Sequence, residues 1–279
     1  MNDYATTVYV ISDEVLRALK INDAPQSHMS NAEVITFAVI SAKFFYNNFK
    51  KARFFCKELK LFKRILSNSP LNRRIHAISW DAWNAIFRYL ALLFVKENSQ
   101  DESIVDSFPV SCCEKNRIDQ RRIFLQKSYI GYAPSKKRYF CGIKVHMVVT
   151  KDGKPVEFQL RPGSESDLNV LWQLELDIPV NAKLFADGAY NCFELEDVFL
   201  DQGIKFYPKR GSNSKNRKRS DVEEKEISSK RQIVETAFSC ITDLFPRNLR
   251  FCTENGFLVK VHCSILAYSM SFLCTNNLN

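Results

Sequence analysis

The chain has 279 residues, 46% of them hydrophobic and 22 of them Phe, which is ample for one large domain or two of ordinary size. A net charge of +9 and a pI near 9.0 point to a polyanionic partner, nucleic acid before an anionic membrane. The N-terminal stretch has no basic segment leading into an apolar one, and the uncharged run 261–276 falls short of the roughly 20 residues of a membrane span. Nine scattered cysteines without a C-x-x-C pair, and four His without ligand spacing, exclude a recognisable zinc motif and suit a reduced, cytoplasmic protein with structural thiols.

Residues 1–98 read as a helical domain. The segment 12–19 is amphipathic, and Asn22, Asp23, Ala24 and Pro25 break it. Ser30 and Glu33 stand at capping-box spacing, followed by Val34, Phe37, Ala38, Ser41, Phe44 and Phe45 on one helical face. Between Lys43 and Arg64 eight basic residues face one acid, Glu58, interleaved with Phe. That pattern predicts helices with an aromatic core and a solvated basic face able to meet DNA phosphates. Residues 80–95 predict a further, largely apolar helix. A polar stretch near residue 98 sets the domain boundary.

From residue 99 the pattern changes to strands. The segment 103–110 is apolar around Asp106. Residues 139–149 alternate, with Phe140, Lys144 and His146 on one face and Tyr139, Cys141, Ile143, Val145, Met147 and Val149 on the other. Asp152 and Gly153 make a hairpin turn, and 155–160 returns as a strand. Then come a helix over 166–176, a strand over 182–186, a helix over 192–202 ended by Gly203, and a strand over 204–207. The order predicts a mixed α/β sheet. Residues 209–226 read as an exposed basic loop, with Ser228 or Ser229 capping a helix that carries Arg231 and Glu235 on one polar stripe. Residues 257–274 predict a last apolar helix packed on the sheet.

Three carboxylates stand out. Asp106 and Asp187 lie in or at the end of apolar strands, where Asp is disfavoured, and Glu235 lies on the helix. Two like charges about 4 Å apart repel by roughly 4 kcal/mol at an effective dielectric near 20. A pair of divalent ions would remove that repulsion and allow in-line phosphoryl displacement. Each residue also has a plain explanation: a turn at Asp106 and at Asp187-Gly188, a helical ion pair for Arg231 and Glu235. Glu165, Asp152 and Asp167 are rival carboxylates, the second explained by its turn and the third by the first turn of a helix.

The stretches 106–110 (DSFPV), 131–137 (GYAPSKK), 142–146 (GIKVH), 186–190 (ADGAY) and 231–238 (RQIVETAF) together resemble the DDE transposases of bacterial insertion sequences, closest to the insertion-sequence-982 family. The resemblance covers essentially the whole chain in order. It implies an RNase H-like mixed sheet flanked by helices, preceded by an all-α N-terminal domain that recognises DNA ends (1–98), with the catalytic domain over 99–279. It implies Asp106, Asp187 and Glu235 as catalytic residues and ligands of two Mg²⁺, for which Mn²⁺ can substitute. Arg231 matches the arginine of a Y-R-E signature whose tyrosine and later lysine would fall at Ser228 and Thr242. The expected reaction is cleavage at the element's ends followed by transfer of the 3′-OH into target DNA. Expected DNA contacts are Lys136, Lys137, Arg138, Lys144, His146, Lys209, Arg210, Lys215, Arg217, Lys218, Arg219 and Arg231. The partners would be double-stranded DNA carrying the terminal inverted repeats, the target duplex, and a second copy of the chain in a homodimer or higher multimer; no membrane is implied. The location would be the bacterial cytoplasm, at the nucleoid. Rival readings are a catalytically inactive, transposase-derived DNA-binding protein and an RNase H-fold nuclease that hydrolyses without joining strands.

Overall fold

The computed structural model describes all residues except 24, 114, 135, 136, 175, 211–216, 218, 247–251 and 276–279. It divides into two compact units, 1–90 with 240–279, and 91–239.

The first unit is helical. Its elements are α1 (Asn2–Ala18), α2 (Asn31–Phe45), α3 (Phe49–Glu58), α4 (Asn68–Ala77), the first part of α5 (Trp80–Glu97) and α9 (Glu254–Thr275). The capping box at Ser30 and Glu33 starts α2 as the sequence predicts. Ten of the fifteen α2 residues are buried because the helix touches α1, α3, α4 and α9 at once. The α9 helix had been expected on the sheet; instead it packs against α1, α2 and α4. The Tyr4 hydroxyl donates to the Ala267 carbonyl (2.9 Å) and the Asn47 amide to Ser264 Oγ (2.9 Å). By length and composition 254–274 would pass as a membrane span, but most of it is buried inside this unit, as befits a core helix.

The second unit is built on a six-stranded mixed sheet: β1 (Glu102–Cys113), β2 (Ile130–Ala133), β3 (Arg138–Thr150), β4 (Pro155–Pro162), β5 (Lys183–Ala186) and β6 (Lys205–Pro208). β1 pairs antiparallel with β3, and β3 antiparallel with both β2 and β4 along one edge. On the other side β5 runs parallel to β1, and β6 parallel to β5. The order β4-β3-β1-β5-β6, with β2 also on β3, gives the mixed α/β sheet expected from the sequence. β2 is the strand missed there, hidden in a basic stretch without alternation. The β3–β4 hairpin turns at Asp152 and Gly153, with Gly153 at φ +77°.

The helices of this unit are α6 (Asp167–Gln173), α7 (Phe193–Asp201) and most of α8 (Asp221–Thr242). The α8 helix starts well before the expected Ser228 or Ser229. Ser220 Oγ accepts from the Glu223 amide (3.3 Å), and the Glu223 carboxylate accepts from the Ser220 amide (2.8 Å). This capping box begins the helix at Asp221, so 221–226 is helix rather than loop.

Candidate active site

Strand register places the two aspartates. β1 and β5 are parallel neighbours with Val105 opposite Ala186, so Asp106 and Asp187 follow at the same level. β6 continues the row, with Ala186 opposite Pro208 and then Lys209, whose amide donates to the Ala186 carbonyl (3.0 Å). Asp187 leaves the strand and begins a turn over Gly188–Tyr190.

The α8 helix brings the third carboxylate. Alternate residues of β1 share a face, and three on this face meet the helix. Glu102 pairs with Lys230 (2.6 Å), Asp106 lies 3.9 Å from Arg231, and the Phe108 ring sits 4.5 Å from that of Phe238. Glu102 is buried, and its carboxyl ends below the usual range: burial pushes it up, but hydrogen bonds from Lys230 and Lys183 outweigh that.

One atom gathers the site. Arg231 Nη2 lies 3.9 Å from Asp106 Oδ2, 3.2 Å from Asp187 Oδ2 and 3.3 Å from Glu235 Oε1. Arg231 Nε is buried without a hydrogen-bond partner among the described residues. Burial pushes the Asp106 carboxyl up to about 7, against the pull of the Ser107 amide and Arg231, with Asp187 and Asp167 adding to the rise. A half-buried carboxyl that resists ionisation chiefly through desolvation, beside two others, is one that a bound cation would draw into its charged form. The donor set is all oxygen, which suits Mg²⁺ or Mn²⁺. The guanidinium stands among all three carboxylates; their oxygens are not gathered within 4.8 Å of one another, so it is the all-oxygen donor chemistry, and not a closed ligand cage, that fits divalent ions.

Behind Asp106, on the opposite face of β1, lies a second polar cluster. Asp167 Oδ1 accepts from Ser107 Oγ (2.7 Å) and from Lys144 Nζ (3.2 Å), and lies 3.6 Å from His146 Nδ1. His146 is fully buried; burial lowers its pKa to about 4, with Asp167 opposing and Lys144 and Arg161 reinforcing. Lys144 and His146, expected at the DNA, thus stand behind the carboxylates. Asp167 does occupy the first turn of α6 as expected, but it also ties that helix to β1. Tyr190, buried after Asp187, feels Asp167 and Asp106, and burial first of all raises its pKa. Sequence reasoning missed Glu102, Ser107, Lys230 and Tyr190, and discounted Asp167. The only sequence signal was an acid opening an apolar strand at Glu102.

Among the described residues of the expected basic loop, three arginines are held by protein partners. Arg210 is buried, donating to Asn191 Oδ1 and to the Glu196 carboxylate (2.7 Å) with its guanidinium 4.8 Å over the Phe193 ring. Arg217 makes two bonds to Asp197 (2.8 and 2.9 Å) and reaches Glu196 at 3.3 Å. Arg219 donates to the carbonyls of Pro208 and Phe206 and lies 5.4 Å over Tyr207. Lys137 and Arg138 are exposed where β2 turns into β3, next to the exposed Tyr132 and Tyr139, whose rings are 5.1 Å apart. Lys136, Lys215 and Lys218 lie outside the described residues.

No curated protein matches the sequence. Among solved structures, a cryo-EM structure of a piggyBac transposase synaptic complex with hairpin DNA is similar at a TM-score of 0.43 and 10% identity, over 99% of this chain and 66% of that one, just under two thirds of its length. The profile of the Transposase DDE domain family matches residues 96–246, more than half of the chain and a span that contains Asp106, Asp187 and Glu235. The chain belongs to the Transposase DDE domain family.

Proposed function

We propose that the chain is the transposase of a bacterial insertion sequence, nearest in its motifs to the insertion-sequence-982 family. It cuts DNA at the element's ends and joins the freed 3′-OH to target DNA. The observation that carries this reading is the approach of Asp106, Asp187 and Glu235, from two strands and a helix, to the single nitrogen Arg231 Nη2.

Transposase DDE domains generally use divalent metals; here Asp106, Asp187 and Glu235 would hold two Mg²⁺. Bound divalent ions polarise the phosphodiester and activate the attacking oxygen. Arg231 offsets the mutual repulsion of the carboxylates while the ions are absent, and afterwards serves a phosphate oxygen. Asp106 lies within β1 just past its last pairing with β5, and Asp187 directly follows β5, so the two stand at one level where a scissile group would meet both. Asp167, holding Ser107 from behind, fixes the backbone that carries Asp106. Lys209, level with the aspartates on β6, contacts the DNA backbone. Lys137 and Arg138 add cations on the β2–β3 edge, with Tyr132 and Tyr139 as stacking surfaces. Such contacts position the duplex without reading its sequence.

In the first unit a cavity of about 860 Å³ is lined by Arg53, Lys57, Lys60, Lys63, Arg64 and Phe62. It supports the helical unit as the part that holds the terminal repeats. Simultaneous work on two ends calls for a dimer or higher multimer.

The test is cleavage of a labelled duplex carrying the DNA that flanks the gene, with Mg²⁺, Mn²⁺ or EDTA. Wild type should cut at the repeat boundary and yield a strand-transfer product, while Asp106→Asn and Glu235→Gln should do neither. Hydrolysis without joining would make the protein a nuclease. Binding without cleavage in any metal would make it a non-catalytic DNA-binding protein.

A further inference from the structure

Three cysteines meet at the far end of β1. Cys112 and Cys113 close that strand, and Cys141 lies on β3 opposite Cys113. Successive residues of a regular strand point to opposite faces, so adjacent cysteines could not share a site there. The β1–β3 register shifts between Ser111 and Cys113, a bulge that leaves Cys112 without a partner residue. Gly142 permits it: its φ is +153°, and a Cβ at that position would overlap the Val110 carbonyl oxygen. As a result the three Sγ atoms all lie within 4.8 Å of one another, the sole such grouping of Cys, His, Asp and Glu ligand atoms among the described residues.

All three are free thiols, Cys141 buried and the other two half-buried. The cover is the segment after β1. Arg121 donates to the carbonyls of Ile118 (2.8 Å), Phe124 (3.1 Å) and Leu125 (2.7 Å); burial raises the Cys141 thiol's pKa, and Arg121 is close enough to oppose that rise. Cys141 Sγ lies 3.8 Å from the Phe124 carbonyl oxygen. A fixed cation thus stands beside a sulfur cluster that would become anionic on losing its protons.

We infer that Cys112, Cys113 and Cys141 form a trithiolate site for one soft metal ion, Zn²⁺ or Cu⁺. The absence of a C-x-x-C pair had argued against zinc, but that rule assumes ligands close in sequence on one turn; here a bulge and a neighbouring strand assemble them. Metal–sulfur bonds of about 2.3 Å set the sulfurs roughly 4 Å apart, a short closure from the present spacing. Thiolate sulfur selects these two ions over Mg²⁺. Each thiol gives its proton to solvent as its metal–sulfur bond forms, with no change of oxidation state. Three sulfurs complete a trigonal Cu⁺ site, whereas Zn²⁺ would add a water. Cys112 stands six positions after Asp106 along β1, roughly 20 Å of strand, so the site is separate from the carboxylates. The ion would staple the bulged end of β1 to β3 and to the segment held by Arg121.

The experiment uses the full chain, reduced and desalted without oxygen. It is titrated with Co²⁺ as a spectroscopic probe for Zn²⁺, then with Zn²⁺ in competition, and separately with Cu⁺ against a chromogenic chelator. The expected result is near-ultraviolet sulfur-to-cobalt absorption saturating at one ion per chain, displaced by Zn²⁺, or one tightly held Cu⁺ per chain. Either result supports the site and identifies its ion. Cys113→Ser and Cys141→Ser should each weaken binding at least 10-fold. Cys112→Ala, at a half-buried position, gives the same readout should the Cys141 variant misfold. Cys240→Ser, an exposed cysteine outside the cluster, and Asp106→Asn should leave the absorption unchanged. No sulfur absorption and no Cu⁺ uptake, or absorption that survives both Cys112→Ala and Cys113→Ser, would overturn the proposal.

Discussion

Arg231 Nη2 lies 3.2 Å from Asp187 Oδ2, and through that contact a helix side chain reaches the residue that follows β5. The same nitrogen reaches Asp106 and Glu235, so the guanidinium stands where the chemistry calls for metal. Arg231→Ala should therefore lower stability without divalent ions by about 1 kcal/mol, since the pairs are partly exposed. Mg²⁺ should raise the melting temperature of this variant more than that of wild type. Thermal melts with Mg²⁺ and with EDTA make the comparison; equal Mg²⁺ shifts would sink it.

Removing any carboxylate should be worse for catalysis than for binding. Asp106→Asn, Asp187→Asn and Glu235→Gln are each expected to cut cleavage by more than roughly 100-fold, beyond what loss of an outer partner of a metal site costs. Affinity for the flanking duplex, read by gel shift, should stay within a few-fold.

Neighbouring cations at the end of β6 should behave differently. Lys209 stands level with the aspartates, and Lys209→Ala should lower the slope of log affinity against log salt by about 0.9 while leaving the melting temperature unchanged. Arg210 instead is buried and holds Glu196 and Asn191. Arg210→Ala should cost about 2 kcal/mol in urea unfolding, because the half-buried Glu196 keeps only its longer contact to Arg217.

Asp167 joins α6 to Ser107 and Lys144 behind the site. Asp167→Ala should cost about 2 kcal/mol of stability. Because the Asp106 backbone loses its support, cleavage should also slow roughly 10-fold or more. A stability loss with unchanged cleavage in the folded fraction would show that the cluster is structural only.

His262, in α9, is buried in the first unit with its ring 3.2 Å from the Trp83 carbonyl oxygen. Burial lowers its pKa to about 4, partly opposed by the Trp83 hydrogen bond. The unfolded chain, titrating near 6.5, therefore binds the extra proton first. The contribution is complete above about pH 6.5 and is lost as pH falls towards 4, up to about 3 kcal/mol. His262→Gln should flatten the fall in denaturation midpoint across that window.

Much of the sheet was legible before the fold. The alternation in β3 and the Asp-Gly turn follow from backbone geometry that neighbouring residues impose locally. Asp106 and Asp187 were legible because a carboxylate in or beside an apolar strand is locally unfavourable, so its presence calls for an explanation. The Ser220–Glu223 cap was overlooked beneath the basic run preceding it, and β2 shows no alternation because only four residues pair.

Partnership was not legible. Arg210 and Lys209 are adjacent and alike in charge, yet one is buried against Glu196 and the other is half-buried at the level of the aspartates, with no carboxylate paired to it among the described residues. Cys112 and Cys113 share a face only because Gly142 admits a bulge in the β1–β3 pairing, and α9 packs on α1 and α2 because their buried faces meet its apolar surface. Local preference, which acts over a turn or a pair of residues, is written in the sequence itself; the identity of a distant partner depends on strand register and helix packing, which exist only once the chain has folded.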